Sequence, residues 1–208
     1  MGPSNAWRRA VLLSIASVTY TVLEGVASTT FGAMDQSLSL FGFGIDSFAE
    51  VASGVGVLLM TWRLWRQPAT SRSQAESRAL LITSWSFFVI AVALLVSGVS
   101  NLMHGRAPIT TTPGVVISLI SIAATLSLVV CKRRIGRLLS SEAILADARC
   151  GALCISMSVV LLLSSLLYAL WGIRSADSIG AIALAVLSFR EGKTAWLASR
   201  DARDPCAI

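Results

Sequence analysis

The chain alternates long apolar runs with short polar connections. The first run extends from Ala10 to Phe31 and the second from Leu38 to Trp62. After an Arg-, Ser- and Gln-rich stretch, a third covers Ala79 to Met103 and a fourth Pro113 to Val130. The fifth covers Ser141 to Leu170 and the sixth Ser178 to Leu197. Each run is bounded by charges or turn residues, and a spanning helix needs about 20 apolar residues. The pattern predicts an all-α polytopic membrane protein of six transmembrane helices, occupying residues 1–199. A short cytoplasmic tail, 200–208, follows.

Composition strengthens this expectation. Hydrophobic residues make up 55% of the 208 positions and charged residues 13%, against about 25% charged in soluble domains. So little charge cannot cover a soluble fold of this size, and the helices leave no room for a large soluble domain. The net charge of +6 sits in clusters between the apolar runs, which points to membrane topology and away from nucleic acid. With the N-terminus in the cytoplasm, fourteen basic residues fall inside: Arg8, Arg9, Arg63, Arg66, Arg72, Arg78, Lys132, Arg133, Arg134, Arg137, Arg190, Lys193, Arg200 and Arg203. Only Arg106 and Arg174 fall outside. Both termini are therefore expected in the cytoplasm. Trp62, Trp65, Trp171 and Trp196 fall near the expected interfaces, as membrane-anchoring tryptophans do.

The first run continues past signal-peptide length, so it is expected to stay as a signal-anchor helix. Four cysteines, Cys131, Cys150, Cys154 and Cys206, make no secreted framework, and disulfides are not expected. Small residues crowd the second run (Ala49, Ala52, Ser53, Gly54, Gly56) and suit close helix packing in lipid.

Ionisable groups inside a membrane are costly and by default mark function. Here they are Glu24, Asp46, Glu50, Asp147 and Arg149. Asp46 and Glu50 are four residues apart, so they stack on one helix face about 6 Å apart. Such carboxylates repel unless a proton or a cation intervenes. Cys150 and Cys154 repeat the spacing on the fifth run. Two such pairs supply four ligands, the stoichiometry of a tetrahedral metal site. Their depths match: at 1.5 Å per residue both pairs lie roughly 12–20 Å from opposite faces, meeting near the middle of a core about 30 Å thick. Asp147 has two open roles, a cation-attracting residue in the entry path or a partner for Arg149 or a helix end. Arg149 either favours the thiolate forms or reaches toward the headgroups. For Glu24 a structural role, pairing with polar groups on neighbouring helices, is the favoured reading.

The stretch Ser39 to Glu50, with Asp46-Ser47 and an acid four residues after Asp46, resembles the second-helix motif of the cation diffusion facilitator family. Ala146-Asp147-Ala148-Arg149-Cys150 through Cys154 resembles its fifth-helix motif. Asp177-Ser178-Ile179-Gly180-Ala181 resembles the start of its sixth helix, and Glu24-Gly25 a first-helix feature. Three departures stand out. The two cysteines replace His or Asp followed by Asp, Glu50 replaces Asp, and the metal-binding cytoplasmic domain that commonly follows the sixth helix is missing from the 208 residues. The resemblance implies a transporter in the bacterial inner or plasma membrane that exports a divalent cation in exchange for protons, with Ser47, Asp147 and Arg149 on the entry path or supporting the site. It leaves a homodimer open.

Carboxylates and thiols bind either protons or metal, so the two can be exchanged at one site. Two thiolates with two carboxylates form a softer set than His with three Asp. The expected cargo is therefore Zn²⁺ or Cd²⁺, extending to Hg²⁺ or Pb²⁺, and not Mn²⁺ or Mg²⁺. No prosthetic group is expected. An enzyme is not expected either, since one histidine precludes a Ser-His-Asp set and no phosphate-binding Gly-rich loop is present. The alternative is a non-transporting membrane protein that binds metal on the same scaffold.

Overall fold

In a computed structural model, residues 3–34, 38–67, 72–104, 112–171 and 176–202 are described. They form six helices: α1 (Pro3–Met34), α2 (Leu38–Arg66), α3 (Arg72–His104), α4 (Thr112–Leu139), α5 (Glu142–Trp171) and α6 (Ala176–Asp201). Every expected helix is present, and most are longer than their apolar runs. α1 begins seven residues before Ala10, at a proline suited to the first helical turn. α4 continues nine residues past Val130 through Lys132, Arg133, Arg134 and Arg137. Charged residues end an apolar run but not a helix, because Lys and Arg are good helix formers. Arg106, Arg174, Arg203 and Cys206 lie outside the described residues.

Five helices are long and apolar enough to cross a membrane: Asn5–Phe31, Phe43–Arg66, Arg72–Met103, Val115–Leu139 and Glu142–Val160. α6 is interrupted by Arg190, Glu191 and Lys193. It nevertheless runs antiparallel to α3 over nearly the same depth. Ser77 Oγ donates to Ser199 O at 2.7 Å, Ser84 Oγ to Gly192 O at 2.9 Å, and Ser188 Oγ to Phe87 O at 3.1 Å. At the other end of α3, Gly98 lies against Ile182 and the Ser178 carbonyl. The partner face of α6 (Ala185, Ser188, Gly192, Ala195, Ser199) recurs every three or four residues and is buried throughout, as helix periodicity requires.

α1 pairs with α2, and α4 with α5; α2 and α5 also touch, as do α1 and α4. These four helices surround a polar interior. On α1 the buried residues Ser14, Ser17, Thr21, Glu24 and Ser28 form one stripe, and on α4 Ser118, Ser121, Thr125 and Lys132 form another. Large apolar residues such as Leu12, Leu23, Val92, Leu119 and Leu163 face outward. Lipid reverses the arrangement of a soluble bundle because the solvent is apolar, so polar groups gather where other protein groups can bond them.

One end of the bundle carries the basic residues. Arg72 at the start of α3 sits 5.7 Å over the Trp7 ring of α1. Its guanidinium donates to Leu139 O and to Ser140 O, the latter at 2.8 Å, gripping the α4–α5 turn. Ser140 takes the left-handed conformation there, with φ 48°. Glu76 accepts from Ser141 Oγ at 2.8 Å and from Ala143 N at 3.3 Å, capping the first turn of α5. Trp62 and Trp65 meet edge to face with Arg66 over both rings, and Arg200 covers Trp196. Trp62, Trp171 and Trp196 are exposed, the placement expected of interfacial anchors.

Candidate metal site

Small residues bring the helices together around the site. α1 and α2 cross at Gly25 and Gly44: a Cβ on Gly44 would lie 2.6 Å from Thr29 N and 2.9 Å from Gly25 O. On α5, a Cβ on Gly151 would lie 3.2 Å from Glu50 Oε1, so glycine lets the Glu50 carboxylate approach the helix.

The level of α2 against α5 is fixed by a hydrogen bond. Ser53 Oγ donates to Asp147 Oδ1 at 3.0 Å and shares a second bond with Thr83 of α3, also at 3.0 Å. The two helices are antiparallel. Three residues back along α2 is Glu50 and three on along α5 is Cys150; seven residues gives Asp46 and Cys154. Offsets of three and seven keep one helical face, so all four residues turn toward one another. They line a single small cavity together with Ile90, Leu153 and Met157. Its volume is about 10 Å³, close to one water-sized sphere. Glu50, Cys150 and Cys154 are buried and Asp46 is half-buried. Both cysteines are free thiols.

The closest cluster of donors differs from the four-residue set read from the sequence. Among the described residues, one ligand atom each from Glu24, Glu50 and Cys154 lie within 4.8 Å of one another. Glu24 comes from α1, and its hydroxyl contacts include one across to α2, as the favoured structural role expects. Tyr20 OH donates to its Oε1 at 3.1 Å and Ser47 Oγ to its Oε2 at 3.5 Å. The single Ser47 proton is shared with Phe43 O, which is nearer at 3.0 Å. The signal for Glu24 was present, since it is the sole acidic or basic residue in the first apolar run.

Three readings of the neighbouring charges need correction. Asp147 pairs neither with Arg149 nor with a helix end: Lys132 Nζ of α4 lies 2.8 Å from its Oδ2, with side chains 4% and 1% exposed. Lys132 is accordingly not a solvated topology charge, although the basic asymmetry survives without it. Its burial follows a helical repeat, Ser121, Thr125, Val129, Lys132 and Gly136 all facing inward. Arg149 turns from the thiols toward α6: its Nε stands 2.8 Å from Glu191 Oε2, unaligned for a hydrogen bond, and its Nη2 is 3.9 Å from Glu142. Ser53, grouped by sequence with the packing residues, is instead the polar link between α2, α3 and α5.

A family model for the cation efflux transmembrane domain matches residues 12–198. The chain belongs to the cation efflux family. Among curated proteins it is 31% identical over 116 residues to the "Cation-efflux pump FieF" of Klebsiella pneumoniae, covering 53% of this chain and 38% of that protein. It is 25% identical over 143 residues to "Transmembrane protein 163" of Xenopus laevis, covering 69% of this chain and 50% of that protein. The chain thus spans half or less of the length of these relatives. Within the cation efflux domain, the matched region contains every residue of the cavity and of the Glu24 cluster.

Proposed function

We propose that this chain carries a divalent metal cation out of the cytoplasm in exchange for protons, through a site formed by Asp46, Glu50, Cys150 and Cys154. The observation that carries the reading is the single cavity into which α2 and α5 deliver two carboxylates and two thiols. The Klebsiella relative's name, a cation-efflux pump, supports the direction of transport. Soft thiolates favour Zn²⁺ and Cd²⁺, and the same donors suit Hg²⁺ or Pb²⁺ better than Mn²⁺. Each donor binds a proton when it releases metal, so loading and unloading exchange the two cargoes. Alternating exposure of an interior site to the two sides then couples the gradients. The chain acts as a carrier, with no covalent chemistry and no resident cofactor.

The test is metal-dependent proton movement in proteoliposomes holding the purified chain. With an outward-directed metal gradient across oriented protein, Zn²⁺ or Cd²⁺ flux should be accompanied by opposing acidification. Metal bound without flux would favour the accessory metal-binding role.

A further inference from the structure

We infer that Glu24 of α1 is a direct ligand of the transported cation, giving the site a carboxylate from a third helix. The inference rests on the proposed site and extends it. Glu50 and Cys154 lie on the cavity between α2, α3 and α5. They also lie within 4.8 Å of Glu24 donor atoms on the α1 side. They therefore stand between two adjoining positions for one ion. Asp46 and Cys150 complete the position facing the cavity, and Glu24 completes the other.

Three observations support a ligand role over simple helix packing. First, a tetrahedral zinc holds its donors about 3.3–3.8 Å apart, from Zn–O near 2.1 Å and Zn–S near 2.3 Å. A cluster within 4.8 Å closes on an ion with side-chain shifts of about 1 Å. Second, the Glu24 carboxylate accepts from Tyr20 OH of its own helix at 3.1 Å, with Ser47 Oγ of α2 at 3.5 Å from its other oxygen. Outer hydrogen bonds of this kind commonly hold ligating carboxylates. Third, Glu24 and Glu50 are each only 6% exposed, and among the described residues no Lys or Arg forms an ion pair with either. Lys132, the buried cation nearby, pairs directly with Asp147 and acts on Glu50 only through a longer-range attraction. A buried carboxylate without a cationic partner is neutralised by a proton or by a bound cation, and a divalent ion between Glu24, Glu50 and Cys154 would take the place of such protons.

Glu24→Gln tests this, because the side chain keeps its length and shape, its amide oxygen can accept from one of the Tyr20 and Ser47 hydroxyls and its NH2 can donate to the other, while the ligating charge is lost. Cd²⁺ and Co²⁺ binding to the purified full chain would be followed by calorimetry and by the thiolate-to-metal charge-transfer band. The native chain should bind Cd²⁺ and develop the band. Glu24→Gln should weaken binding by at least about tenfold while the band persists at saturating metal, and Co²⁺ ligand-field bands should change in position as one donor is exchanged. Glu24→Asp should fall between the two. Unchanged affinity and unchanged Co²⁺ bands in a folded Glu24→Gln chain would overturn the role of Glu24 and leave the four-residue site standing. Failure of the native chain to bind metal or develop the band would overturn the site itself. A chain that loses its fold with Gln but keeps it with Asp is judged on the Asp variant, whose native affinity and native Co²⁺ bands would equally overturn the role.

Discussion

Lys132 of α4 and Asp147 of α5 form a buried ion pair, 2.8 Å between Nζ and Oδ2, one helical turn from Cys150 toward the basic end of the bundle. The pair is joined through Ser53 to Thr83 on α3. A buried pair contributes little compared with an apolar replacement, but breaking it leaves one charge without a partner, at a cost of about 3–5 kcal/mol. Lys132→Met should lower the thermal midpoint of the detergent-solubilised chain markedly. Combined Lys132→Met and Asp147→Leu should recover most of the loss. A loss in the double variant equal to the sum of the losses in Lys132→Met and Asp147→Leu alone would show that the two residues are not coupled.

Asp46→Ala should abolish transport while the protein still folds. Asp46 lines the cavity and is only half-buried, and no hydrogen bond or ion pair of the described structure depends on it. Its removal deletes a costly intramembrane carboxylate. Thermal stability at or above the native value, with metal flux at background, is the expected pair of results. Native flux in a well-expressed variant would remove Asp46 from the ligand set.

Cys150 and Cys154 give the site its departure from the family pattern. Replacing them with His and Asp should move relative transport toward Zn²⁺ and away from Cd²⁺, because thiolate softness is what is exchanged. Replacing both with Ala should lose both metals. Bound metal should also protect the thiols from alkylation, measured by mass spectrometry of the labelled protein. Cys131, which is exposed, should label equally with and without metal and serves as the internal control.

Gly44→Ala and Gly136→Ala should differ although both add one methyl group. At Gly44 the methyl meets backbone, Thr29 N at 2.6 Å and Gly25 O at 2.9 Å. Helices α1 and α2 would have to separate, with an overpacking cost of about 1–3 kcal/mol. At Gly136 the nearest atoms are the Leu145 side-chain carbons, at 2.9 and 3.0 Å, and the leucine tip can turn aside. Comparing the two thermal midpoints checks the expectation; equal midpoints would mean that the α1–α2 crossing tolerates widening.

Much of this was legible in the order of residues. The apolar runs located all six helices, and the four-residue spacings of Asp46 with Glu50 and Cys150 with Cys154 placed four donors on one cavity. What sequence spacing lacked was rotation about each helix axis relative to its neighbours. Lys132 sits among Arg133, Arg134 and Arg137 and shares their charge, so as a run they look alike. Only the phase of Ser121, Thr125 and Val129 marks Lys132 as the inward member. Glu24 was visible as an isolated carboxylate, but its approach to Glu50 depends on the Gly25–Gly44 crossing, which no spacing along one helix encodes. Arg149 belongs to the same class. It is one residue from Cys150, and that single step of about 100° on a helix turns it toward Glu191 of α6.

The hydroxyl-to-carbonyl bonds of Ser77, Ser84 and Ser188 set how α3 and α6 can move. Sliding one past the other by a fraction of a turn would break all three bonds at once, in a setting where no water replaces them. Re-engagement would require a jump of about 5.4 Å, one full turn. The two helices are thus bolted into one strut. Because Arg72 also clasps the α4–α5 turn at one end of that strut, shifting the strut against α4 and α5 at that end would have to break the two Arg72 bonds as well.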